Sequence, residues 1–306
     1  MSQPPAVPDR SGIATESANP AARDLDALPT IEALACIQQQ DALIHDAIAA
    51  AREPIARAID LIASRLAAGG RLFYVGAGTS GRLAVLDAVE LPPTFQSDPD
   101  QVQGLLAGGQ GAMFRSVEGA EDDAAAAGRE LDARGFNKDD VVFAISAGGT
   151  TPFARGAIEH ARGLGVATVF FACVPFDSVP DPADISIRVL TGPEVLQGST
   201  RMKAGSATKL VLNSISTLVM AKLGKVYDNR MVDVNTAGNV KLLDRGIRLV
   251  ADLASIGRAD AEEALSEAGG SVKLAVVMRR CDLSPEQAAN RLARAHGSLR
   301  DAFLTK

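Results

Sequence analysis

The sequence has no Trp and only 4% aromatic residues, against 28 Gly. That balance favours small-residue α/β packing over an aromatic-rich binding surface. Cysteine is scarce: Cys36, Cys173 and Cys281 are odd in number and far apart. They form neither a disulfide framework nor a CxxC metal site, which points to a reducing cytosol. Histidine is equally sparse. His45, His160 and His296 have no HxH or HxxxH spacing, so no structural zinc site is expected. If the chain is an enzyme, its acid–base groups are carboxylates. The longest apolar runs, 141–145 and 166–174, have the length of strands, far short of the ~20 residues of a membrane helix. The first residues, Met1–Arg10, carry prolines and no apolar stretch, so no secretory signal is expected there. Basic residues are in deficit, with a net charge of -6, which removes the electrostatic case for nucleic acid.

What is present reads as one large or two modest globular domains: 306 residues, 47% hydrophobic and 22% charged. Residues 1–28 mix Pro, Ser, Ala and charge without periodicity and read as a flexible lead-in. Apolar spacing near 3.6 predicts helices over 31–51 and 55–68. Strands are expected at 71–75, 102–107, 141–145, 166–172 and 184–190. Helices between them cover 82–90, 121–134 and 152–163, and longer helices follow at 204–223 and 239–253. Such alternation implies an α/β fold with a doubly wound, five-stranded parallel sheet. After about residue 255 the strands vanish. Residues 258–268, 272–280 and 284–295 predict three short helices, so 29–255 is expected to form the sheet domain and 256–306 a small helical module.

Three loops have the chemistry to hold an anion. Gly76-Ala77-Gly78-Thr79-Ser80-Gly81 joins a strand to a helix and literally matches GxGxxG. Its glycines allow close approach to a phosphate, and the helix start supplies N–H groups. A dinucleotide site also wants an acid at the end of the second strand, where this chain has Leu106-Ala107-Gly108-Gly109. The hydroxyls of Thr79 and Ser80 suit a phosphomonoester instead, and a capped tight turn without ligand fits the same residues. Ser146-Ala147-Gly148-Gly149-Thr150-Thr151 repeats the arrangement after the third strand. Two such loops at strand ends converge on one crevice in a doubly wound sheet. The third stretch, Gly198–Gly205, puts Ser199, Thr200, Arg201 and Lys203 just before a helix. Cations there oppose the helix dipole and need another reason, either an anion or a solvated charge pair to Glu194. Among the carboxylates, Glu90 falls at a helix C-terminus, where negative charge is disfavoured. Glu121 falls at a helix start, where acids are ordinary.

Taken together, the blocks GAGTSGRL (76–83), LDAVELPPTF (86–95), VEGAED (117–122) and GPEVLQGSTRMKAG (192–205) resemble the N-acetylmuramic acid 6-phosphate etherase family. That family is of the SIS type, which binds phosphosugars, and it is related to the glucokinase regulatory protein. The resemblance runs from about Thr15 to the C-terminus. It implies a five-stranded parallel sheet with a helical tail, a homodimer with its site near the subunit interface, and no metal or redox cofactor. The implied activity is cleavage of the D-lactyl ether of a sugar 6-phosphate during cell-wall recycling in the cytoplasm. The family's catalytic glutamates fall on Glu90, as the acid that protonates departing lactate, and Glu121, as the base for the C2 proton. By position, Gly78, Thr79 and Ser80 match the first phosphosugar loop, Ser146, Gly148 and Thr150 the second, and Ser199 and Lys203 the third. Many relatives have Ser-Gly-Arg-Thr-Pro where this chain has Gly148-Gly149-Thr150-Thr151-Pro152, so a hydroxyl and a cation are missing there and Ser146 is the substitute hydroxyl. The expected partner is a small sugar 6-phosphate, with neither nucleic acid nor membrane. A non-catalytic sugar-phosphate sensor and a phosphosugar isomerase are the competing functions.

Overall fold

The computed structural model describes Arg10 and residues 12–304. The chain divides into two compact units. One comprises 1–58, 70–87 and 103–215, and the other 59–69, 88–102 and 216–306.

The elements follow the alternation in the sequence. Helices α1 (Thr30–Ala50) and α2 (Arg52–Ala67) precede strand β1 (Leu72–Gly76). Then come α3 (Gly78–Val89), the short α4 (Leu91–Phe95), β2 (Val102–Leu106) and α5 (Ala124–Ala133). Strand β3 (Val141–Ile145), α6 (Pro152–Gly163), β4 (Ala167–Ala172) and β5 (Ile185–Arg188) complete the sheet. The long α7 (Lys203–Lys222) leads to a hairpin of β6 (Val226–Tyr227) and β7 (Arg230–Met231). Five helices close the chain: α8 (Val240–Ala254), α9 (Arg258–Glu267), α10 (Val272–Cys281), α11 (Pro285–Arg294) and α12 (Leu299–Leu304).

The five-stranded sheet has the order β2-β1-β3-β4-β5, and the pairs β1–β3, β3–β4 and β4–β5 are parallel. Strands β1, β3 and β4 are buried at every position, as continuous apolar runs in a parallel sheet must be. The order places the crossover after β1 on one side and that after β3 on the other. Gly76 pairs in register with Ile145, so the loops following β1 and β3 leave the sheet side by side. This is the switch point at which doubly wound sheets open a crevice. Two close approaches fix the helices beside it. A Cβ on Gly81 would lie 2.4 Å from the Gly76 carbonyl oxygen, and one on Gly156 of α6 would lie 1.9 Å from the Ala124 oxygen of α5.

The core of this unit gathers Phe73, Val75, Leu105, Val142, Ala144, Phe153, Ile158 and Phe170, with Ile13 of the leading segment packed among them. The segment itself has three 3-10 turns, at Ala14–Glu16, Pro20–Ala22 and Leu25–Ala27. Thr15 is fully buried, and Asn19 Nδ2 donates to Gln40 Oε1 at 2.8 Å and to the Pro193 oxygen at 3.0 Å. The expected lead-in of 1–28 thus has local structure over 14–27, while residues 1–9 and 11 lie outside the described residues.

The second unit has its own core, in which Ile247, Val250, Leu265, Val276, Val277 and Leu299 meet. It takes in α8 and the β6–β7 hairpin besides the helices after 255, more than the 256–306 stretch read from the sequence. Ser284 opens α11 with a capping box to Gln287 and Pro285 at the first position. Among the described residues no helix is long and apolar enough to cross a membrane.

Candidate functional site

The first loop is tighter than a free turn. Helix α3 already begins at Gly78, whose φ is +53°, so Thr79 and Ser80 form its first turn and stay half-buried. The start of α7 adjoins it: a Cβ on Gly205 would stand 3.5 Å from Thr79 Cγ2. The two helices are also tied further along, where Lys209 Nζ of α7 donates to Asp87 Oδ1 of α3 at 3.1 Å. Asp87 is buried beneath that contact, and Tyr74 of β1 is buried beside it. Burial, then the Asp87 charge, push the Tyr74 phenol well above its ordinary value, so it stays protonated.

In the second loop the Ser146 hydroxyl is buried and donates to Thr151 Oγ1 at 3.0 Å, while accepting the Thr151 N–H at 3.2 Å. It closes the loop on itself. Gly148 lies instead beneath two other hydroxyls. A Cβ built there would stand 3.6 Å from Thr15 Oγ1 and 3.9 Å from Thr150 Oγ1. The Thr15 oxygen is buried without a hydrogen-bond partner among the described residues. A hydroxyl from the leading segment therefore sits where the loop lacks a side chain of its own, and nothing local in the sequence signals it.

The third stretch is organised by Glu194, which the sequence reading treats only as the partner in a charge pair. Glu194 is fully buried, and its carboxylate accepts the N–H groups of Lys203 and Ala204 at 2.9 Å each. It caps α7, satisfying two of the donors that a helix start leaves open. Lys203 is buried as well, with Nζ donating to Gln40 Oε1 at 3.0 Å. Desolvation pulls its pKa below the usual lysine value, against the pull of Glu194 and Asp41. Ser199 is half-buried at the turn before α7.

The two glutamates occupy different settings. Glu90 follows the last residue of α3 and precedes α4, exposed, with Pro92 in the first turn beyond it. Glu121 lies not in α5, as the periodicity predicts, but in a 3-10 turn (Ala120–Asp122) just before it. The reason is local: Asp123 takes the cap, accepting the N–H groups of Ala125 and Ala126 at 3.0 Å each, so α5 can start only at Ala124. The turn brings Glu121 to a cavity of ≈ 200 Å³ whose wall also includes Ala77 and Gly78 of the first loop, Arg82, and Ser116–Ala120. Sequence alone does not single out Arg82. The signal it offered was an arginine just inside a helix start, where the dipole disfavours positive charge. Among the described residues, no group of three or more His, Cys, Asp or Glu side chains is placed to hold a metal ion.

Comparison with known proteins adds the following. Residues 54–162 match the glucokinase regulatory protein N-terminal SIS domain family. The chain is 53% identical over 298 residues to a protein of Parasynechococcus marenigrum named N-acetylmuramic acid 6-phosphate etherase, covering 97% of this chain and 94% of that one. A protein of the same name from Synechocystis is 52% identical, with 96% of each chain covered. The structure also overlaps that of a phosphoheptose isomerase from Francisella tularensis at 17% identity and a TM-score of 0.49, over 63% of this chain and 100% of the other.

Proposed function

The chain belongs to the N-acetylmuramic acid 6-phosphate etherase family, and we infer that it is a lyase cleaving the D-lactyl ether of N-acetylmuramic acid 6-phosphate. The products are N-acetylglucosamine 6-phosphate and D-lactate, and the reaction belongs to amino-sugar metabolism. The structural observation that carries the reading is the cavity in which Glu121 shares a wall with the glycine loop after β1.

Chemistry explains why carboxyl groups are needed. An unactivated ether does not eliminate. In the open-chain aldehyde, the C2 proton lies beside a carbonyl and becomes acidic. A carboxylate removes it, the C3–O bond breaks, and a second carboxyl group protonates the departing lactate oxygen. Water then adds across the C2–C3 double bond, returning a proton to C2 and placing a hydroxyl on C3. The reaction thus divides its work between two carboxyl groups, one that takes a proton and one that gives it. In this reading Glu121 is the base and Glu90 the acid. Support for Glu121 comes from its place on the cavity wall, and for Glu90 from the match of its LDAVELPPTF block to the family.

The phosphate falls to the loops after β1 and β3 and before α7, through Gly78, Thr79, Ser80, Gly148, Thr150 and Ser199, with Ser146 shaping its loop and Lys203 contributing charge. The same reading makes the protein a cytoplasmic homodimer. Free cysteines support the compartment, and the exposed apolar side chains of Ile31, Leu34 and Leu43 on α1 support association.

The test is direct. Purified protein is given N-acetylmuramic acid 6-phosphate in water enriched in ¹⁸O, and lactate is assayed with a D-lactate dehydrogenase. Lactate and sugar phosphate should appear in equal amounts, with ¹⁸O at C3 of the sugar. Binding without lactate release would favour a sensor instead.

A further inference from the structure

N-acetylmuramic acid 6-phosphate carries two negative groups, the phosphate and the carboxylate of the lactyl ether. The second is attached to the carbon that bears the ether oxygen, so it must enter the site beside the bond that breaks. There it meets an unfavourable field, because Glu118 and Glu121 both line the cavity. A third carboxylate enters such a space only against a fixed positive charge.

Arg82 is the one cation among the described residues that line the cavity. One edge of its guanidinium is held by backbone. Nε donates to the Ala112 oxygen at 3.0 Å and to the Met113 oxygen at 3.2 Å, and Nη2 donates to the Ala112 oxygen at 2.8 Å. Those carbonyls belong to the 3-10 turn after β2, on the path to Glu121. Nη1 has no hydrogen-bond partner among the described residues, and Arg82 forms no ion pair with either glutamate of the wall. The residue is half-buried and sits in the second turn of α3, where the helix dipole opposes its charge. Carbonyl tethering orients the fork without neutralising it, and an oriented, unneutralised guanidinium is suited to a carboxylate.

We propose that Arg82 binds the lactyl carboxylate and makes the enzyme select sugar ethers that carry an acid. This rests on the etherase reading. It assigns Arg82 a task distinct from holding the phosphate, and distinct from merely pinning the turn at Ala112.

The experiment compares two substrates, N-acetylmuramic acid 6-phosphate and the analogue whose lactyl carboxylate is converted to the neutral amide, in the full-length wild type, Arg82→Gln and Arg82→Lys. Wild type should prefer the acid by ~10–100-fold in kcat/KM, the range a charge-assisted contact supplies. Arg82→Gln should bring the two substrates within ~3-fold of each other, mainly by losing activity on the acid. Arg82→Lys, which keeps the charge but loses the fork, should fall between and serves if the glutamine variant does not fold. A wild type indifferent to the carboxylate overturns the proposal. So does a loss equal for both substrates in either variant, which marks a tether or a phosphate contact. A wild type that releases neither lactate nor lactamide overturns the etherase reading itself, a result separable from the others.

Discussion

Glu194 holds Lys203 by its backbone: Oε2 accepts the Lys203 N–H at 2.9 Å, while the ammonium of the same residue turns to Gln40. Both residues are buried. A carboxylate at the start of a 20-residue helix thus meets the positive end of the dipole and a desolvated cation together.

Glu194→Ala leaves two helix N–H groups open and removes one of the negative charges that offset the buried Lys203 ammonium. It should lower stability by about 2–3 kcal/mol in urea unfolding, the cost of a lost cap together with two buried donors left without an acceptor. Glu194→Gln, keeping one acceptor, should lose about half of that. A change under about 0.5 kcal/mol for the alanine variant would show the cap to be dispensable.

Lys203 has a pH signature. Desolvation lowers its pKa in the folded chain below the ordinary 10.5, so between the two values the unfolded chain binds more protons. Stability then rises with pH in that window. The cost of burying the charge is full below the folded pKa and gone above the unfolded one. Against Lys203→Met, wild type should therefore gain relative stability as pH climbs from 7 towards 10.5. A difference that stays flat would refute the desolvation.

For the reaction, Glu90→Gln and Glu121→Gln should each cut lactate release by at least ~100-fold, the usual contribution of one positioned acid or base. Circular dichroism should remain that of wild type, since Glu90 and Glu121 are both exposed. Turnover like that of wild type in one variant removes that residue from the mechanism.

Glycine at two contacts has no substitute. At Gly81 a methyl group would meet the Gly76 oxygen at 2.4 Å and Leu106 Cδ1 at 2.5 Å, pushing the first turn of α3 away from β1. Gly81→Ala should destabilise by about 2–4 kcal/mol as an overpacked contact and abolish sugar-phosphate binding with it. Gly156→Ala, clashing with the Ala124 oxygen, should destabilise comparably by calorimetry and disturb the α5 start next to Glu121.

Thiol chemistry should be selective. Burial pushes the Cys173 thiol up to about 12. At pH 8 its thiolate fraction is then of the order of 10⁻⁴, so alkylation should run ~10³-fold slower than at an ordinary thiol. Mass spectrometry after brief iodoacetamide treatment should find label on the half-buried Cys36 and Cys281 and not on Cys173. Early label at Cys173 would mean that the sheet opens.

Strands β1, β3 and β4 are legible as largely apolar runs, and β5 as an alternation of Ile185 and Ile187 with polar residues, signals that need no distant partner. The β6–β7 hairpin was missed, since strands of two residues have no period to detect. The turn holding Glu121 cannot be told from helix in the sequence, because the acidic run 121–123 looks the same whether Glu121 or Asp123 provides the cap.

What the sequence determined by itself is the order of strands and helices and the presence of glycine and hydroxyl loops at strand ends, because spacing and turn chemistry act over a few neighbouring residues. Tertiary structure alone decided which of those groups face one another. Ser146 is occupied by Thr151, Thr15 comes to rest over Gly148, and Arg82 reaches the wall it shares with Glu121. The last two pairings join residues more than thirty positions apart, and even the Ser146 contact depends on how its loop is packed. Burial and strand order bring such groups together, and no local pattern records it.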